Sequence, residues 1–152
     1  MKGVYVAQCK ISSLSAAKTL MYITAPAALC VEILGASVTN ASNETNEQVE
    51  VCLQRISSLG TPTGTSLTPS KTEYGDQAAQ STAVGNVTAS EPTYAANTQQ
   101  GYEGVASLGG YRYDPIPEER MYAKPGESIG LRLLNSPTAF DGIVQMKFRE
   151  IA

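Results

Sequence analysis

Apolar residues fall at every second position through much of the first third of the chain. Leu29, Val31 and Ile33 share one parity within LCVEILGASVT, and Glu32 lies on the other. Val49, Val51 and Leu53 alternate with Glu50, Cys52 and Gln54. A period of two with one polar face marks a strand buried on one side. Val4–Ala7 and Thr19–Thr24 (TLMYIT) add two β-forming stretches, the second stopped by Pro26. The last third returns to the same pattern. Tyr111–Tyr113, Glu119–Ala123 and Ser128–Leu134 are short candidate strands, with Ile129, Leu131 and Leu133 on one face. Gly142–Ile151 closes the set, placing Val144, Met146 and Phe148 inward and Gln145, Lys147 and Arg149 outward. Lys124-Pro125-Gly126-Glu127 has Pro and Gly in the central positions of a type II turn.

The middle of the chain departs from this pattern. From Leu59 to Tyr74, Gly60, Pro62, Gly64 and Pro69 interrupt any regular element, so residues 59–85 read as a long loop or arm. Asp76–Ala83 (DQAAQSTA) is the one short stretch with helix character. Thr88–Thr98 is a strand candidate broken by Pro92. Together these elements predict an all-β protein of about eight strands, a jelly-roll-like sandwich or barrel, with a long central loop and at most one short helix. No internal repeat or linker divides the 152 residues, which are expected to form one domain.

Composition narrows the function. The chain holds no histidine, which removes the usual general base, Ser-His-Asp and Cys-His nucleophile pairs and most catalytic zinc sites. Ser107 in GVASLG therefore reads as part of a glycine-rich turn. Glu118 and Glu119 are adjacent, and on a strand they would point to opposite faces rather than flank one bond. No phosphate-binding glycine motif occurs. Asn40, Asn43, Glu44 and Glu47 are rich in oxygen but lack the alternating ligands of a calcium loop, so they read as a solvated turn. No enzyme activity, metal or cofactor is expected.

Charged residues make up only 16% of the chain, and the net charge is −3. Lys and Arg are scattered singly, which disfavours nucleic acid as a partner. The uncharged stretch Thr19–Val31 is too short to span a bilayer, so no membrane partner is expected, and the polar start carries no secretory signal pattern. Synthesis in a cytosol is expected. Cys9, Cys30 and Cys52 are odd in number and widely spaced, as free thiols used for packing would be. Eight tyrosines stand against two phenylalanines and no tryptophan. Tyrosine joins apolar area to a polar tip and suits interfaces. Tyr94, Tyr102, Tyr111 and Tyr113 are the candidate contact residues in the second half. Thr61, Thr63 and Thr65 are the candidates on the uncharged central stretch, where hydroxyls can bond a partner's backbone.

Several phrases point further. TASEPTY (88–94), SLGGYRYDPIPEER (107–120), PGESIGLRLL (125–134) and FDGIVQMKFREI (140–151), with TLMYITAPAALCVEILGASVTNASNETNEQ (19–48), resemble small virion or head-associated proteins of tailed bacteriophages. That resemblance implies a capsid decoration (cement) protein, located in the virion after synthesis in the host cytoplasm. It implies the major capsid protein or another virion protein as partner, and a homo-oligomer, with a trimer favoured. It carries over no site residue.

Overall fold

The computed structural model describes residues 3–42 and 46–152. Within them the chain forms β1 (Val4–Leu14), β2 (Lys18–Thr24), β3 (Cys30–Asn40), β4 (Gln48–Ser58), β5 (Thr63–Leu67), β6 (Ser70–Lys71) and β7 (Thr82–Ala89). There follow β8 (Thr93–Tyr94), β9 (Gln100–Ala106), β10 (Tyr111–Tyr113), a 3-10 turn at Pro117–Glu119, β11 (Tyr122–Ala123), β12 (Ser128–Leu133) and β13 (Phe140–Ile151). All strand pairs are antiparallel.

Eight of these strands wind as a jelly roll. β10, β3, β13 and β1 lie side by side in one sheet, and β2, β12, β4 and β9 in the other. Along the chain the wind passes from one sheet to the other at every step except β4 to β9, which are neighbours in the second sheet, and this is the two-sheet solution to covering apolar strand faces. β11 continues the edge along β3, β8 continues it along β4, and β6 caps two residues of β1. β5 and β7 widen the second sheet beyond β2.

The core follows the parity read from the sequence. Val144, Met146 and Phe148 are fully buried, as are Val51, Leu53, Ile129, Leu131, Val31 and Ile33. The Tyr5 and Phe148 rings pack with centroids 5.6 Å apart. The Lys124–Glu127 turn forms as expected, with the Glu127 amide donating to the Lys124 carbonyl at 2.9 Å and Gly126 at φ +80.

The central stretch is an insertion between β4 and β9, and the expected loop is interrupted by the short strands β5 and β6 and by the start of β7. Gly64, which reads as a breaker, is what lets β5 lie against β7. A Cβ there would stand 2.6 Å from Val84 Cγ1, so only glycine fits. Asp76–Ala83 is not a helix: the segment runs extended into β7. The amides of Gln80 and Ser81 are drawn to the Glu150 carboxylate, each at 2.7 Å, instead of to a helical turn. Cys52 is buried, Cys9 and Cys30 are half-buried, and all three are free thiols.

Phe148→Ala removes a fully buried ring and should cost about 3–5 kcal/mol in urea unfolding. A cost below about 1 kcal/mol would mean that the ring is not part of a tightly packed core.

Candidate interaction surface

Besides the pairing of β7 with β2 and of β6 with β1, the insertion is fastened to the sandwich by one buried carboxylate. β13 alternates inward and outward, and its last inward position is Glu150, 2% exposed. Its Oε1 accepts from the Gln80 amide, the Ser81 amide and the Ser81 hydroxyl, all at 2.7 Å. A second fastening lies on β1. The Thr72 amide and hydroxyl both donate to the Val4 carbonyl, at 3.0 and 2.6 Å, and the Tyr5 hydroxyl donates to the Gln77 carbonyl at 2.9 Å. Between these ties the loop is pinned from inside. The Lys71 ammonium donates to the Tyr74 and Asp76 carbonyls, at 3.2 and 2.8 Å.

The strand edge that this frame presents, β5, is uncharged. β5 is the last strand of its sheet, so one row of its backbone groups has no strand beside it. Thr61, Thr63 and Thr65 are all exposed, as are Gly64 and Ser66. An open strand edge is a template for another chain's backbone. On the loop after β6, Tyr74 is 100% exposed.

The tyrosines singled out by composition divide by position. Tyr102 is 51% exposed, and its hydroxyl donates to Glu50 at 2.9 Å. Tyr113 is half-buried, its hydroxyl on the Glu119 carbonyl. Tyr111 is 1% exposed and donates to the Gly101 carbonyl at 2.7 Å, so it closes the margin between β9 and β10 instead of facing a partner. Tyr94 is likewise drawn into the fold. Its ring lies under the Arg132 guanidinium at 4.1 Å, and its hydroxyl meets Thr19 Oγ1 at 2.6 Å. It lies flat because β12 carries Gly130 beneath it, where a side chain would collide with the phenol. Burial pushes the Tyr94 and Tyr111 phenols up, so both stay neutral.

Glu32 escaped the parity argument. It points outward from β3 yet is 1% exposed, because the segment before β12 folds over it. The Tyr122 hydroxyl donates to Oε1 at 2.8 Å, Arg120 approaches the same oxygen at 3.4 Å, and Arg149 contacts Oε2. Burial pushes the carboxyl up, but Tyr122, Arg149 and Arg120 together outweigh it and hold the group below its ordinary value. The only sequence signal for this cluster is that β13 pairs Arg149 opposite Glu32, a register that single-strand patterns do not contain.

The oxygen-rich turn is only partly within the described residues: Asn43 and Glu44 lie outside them. Asn40 Oδ1 accepts from the Ser42 amide and hydroxyl. The Glu47 carboxylate binds the Thr138 amide and hydroxyl, which hold its carboxyl below the usual range. These oxygens tie two loops together at one end of the sandwich. Glu118 and Glu119 sit on the 3-10 turn rather than on a strand, and both are exposed. Ser107 is buried, and its hydroxyl accepts from the Glu47 amide at 3.1 Å.

No protein-family model, curated protein or solved structure matches the chain.

Two outcomes follow from the carboxylates. Glu150→Ala removes the acceptor of the Gln80 and Ser81 amides. Charge-assisted bonds of this kind contribute about 1.5–3 kcal/mol, so hydrogen exchange at these amides should rise roughly 10- to 100-fold while β1 and β13 stay protected. Unchanged protection would show that the insertion is held elsewhere. For Glu32, the folded pKa lies below the unfolded value of 4.5. Its stabilisation is therefore full above that pH and is lost as pH falls through the folded value. Thermal melts of Glu32→Gln should fall less steeply than wild type below pH 4.5; parallel curves would remove Glu32 from acid unfolding.

Proposed function

We propose that this protein is a structural virion subunit that seats on the outside of a tailed-phage capsid and stabilises it, as a decoration protein does. It works by contact rather than by catalysis. The observation that carries this reading is the insertion. An uncharged strand edge faces solvent, and a buried carboxylate holds its base in place. Decoration of a lattice needs shape and area held ready, with little ordering left for the moment of binding. Hydroxyl-bearing side chains at Thr61, Thr63 and Thr65 suit such a contact, because they can be buried against backbone groups without the cost of burying charge. The resemblance of several phrases of the sequence to head-associated phage proteins supports the same reading.

Deleting residues 61–70 removes β5 and Ser70 but none of the eight jelly-roll strands. The variant should keep its β-type circular dichroism and lose co-sedimentation with capsids stripped of the protein. Full binding with an intact fold would take the insertion out of the mechanism. Binding of wild type to tails or connectors, and not to capsids, would assign it another place in the virion.

A further inference from the structure

Two surface features remain unused by the fold, and they are complementary. The first is a knob. Tyr74 is wholly exposed, so its ring is buried against no other part of its own molecule. The loop that carries it is nonetheless tied by Lys71, Thr72 and Gln77, and the Asp76 amide closes it on the Glu73 carbonyl at 3.2 Å. The Lys71 ammonium stands 5.8 Å from the ring centroid. An aromatic side chain on a preordered loop loses little freedom when it is buried, and tyrosine is among the residues that most often anchor interfaces.

The second is a hole. The outer face of the β10–β3–β13 half of the first sheet carries a concavity of about 540 Å³. Gly35, Ser37 and Gly110 are among the small residues that line it, with Gln145, Arg112 and Lys147 around them. Glycine and serine expose backbone and leave a ring room to lie close. Arg112 is already paired with Asp114. Lys147 is exposed and makes no ion pair among the described residues, and the same holds for Glu73 beside the knob. On the knob Lys71, Glu73 and Asp76 all lack an ion pair among the described residues, so the loop carries a net charge of −1 against the positive Lys147 of the hole.

We infer that the Tyr74 loop of one copy seats in this concavity of a second copy, with Glu73 against Lys147. Knob and hole are different surfaces of the chain, so the contact is head-to-tail. Such contacts grow into closed rings when the rotation per subunit divides a full turn, and into filaments when it does not. The inference deepens the assembly reading by naming the contact between copies. It does not depend on a capsid, because the contact is tested on the purified protein alone.

The test is sedimentation of the full chain across a concentration series. Wild type should associate, and Tyr74→Ala and Lys147→Glu should each weaken association at least tenfold while melting at the wild-type temperature. Glu73→Lys combined with Lys147→Glu should recover most of the loss. The decisive mixture is Tyr74→Ala with Lys147→Glu. One partner keeps its hole and the other its knob, so a head-to-tail contact gives dimers that grow no further. A wild type that stays monomeric would overturn the inference. So would single variants that associate as wild type does, or a mixture that forms nothing. None of these results bears on capsid binding, which the deletion of residues 61–70 tests separately.

Discussion

β13 must satisfy two neighbours at once, and the molecule is arranged around that requirement. It pairs with β1 on one side and β3 on the other over nearly its whole length. A strand so placed has no free edge, and its side chains can go only up or down. Its inward face supplies Val144, Met146 and Phe148 to the core. Continued by two residues, the same parity puts Glu150 inside, where a charge is costly unless it is bonded. The chain answers by bringing Gln80 and Ser81 to it. Its outward face does the same with opposite sign, since Arg149 lands beside Glu32 by register. Core, insertion and the cover over β3 are therefore set by one strand.

That dependence explains what was legible in the sequence. Strand existence and parity could be read because each depends on residues two apart in one segment. Val49, Val51 and Leu53 are buried as their spacing requires. Where a second layer covers the outer face, the pattern misleads. Cys52 and Gln54, on the polar side of β4, are also buried, because β8 and the segment around it lie over that face and the Gln54 amide donates to the Ala95 carbonyl at 2.8 Å. Glu32 is the same case on the other sheet. The tyrosines show the limit most clearly. Composition identified an excess of them, but whether a ring faces in or out depends on partners far along the chain. Gly101 accepts from Tyr111 and Thr19 meets Tyr94, while Tyr74 stays wholly exposed with only the nearby Lys71 ammonium beside its ring. In the sequence Tyr74 is one more residue of a broken stretch.

The insertion reads as a loop because its signals are those of punctuation. Gly64 and the prolines flanking β5 act differently once β7 is beside them. Pro62 and Pro69 limit the strand to five residues, and an irregularity between Thr63 and Thr65 bends it. Short length, flanking proline and a bulge are the devices that keep an open edge from pairing indiscriminately. β5 has all three and lacks the fourth, which is charge. An edge guarded by geometry alone stays open to a partner whose shape fits it, whereas a lysine on the edge would oppose any strand, fitting or not.

The anchoring of this edge also bears on its energetics. A segment that orders only on contact spends part of the interaction on its own entropy, about 1–2 kcal/mol for each backbone residue fixed. Here the ordering is done at folding, through the ladder between β5 and β7, the Glu150 joint and the Lys71 pin. The cost is moved into the stability of the sandwich, where Phe148 and the layers around it supply the compensating burial. A subunit built this way can bind through modest, uncharged contacts, because each contact contributes to holding the partner and little of it is consumed in shaping the arm.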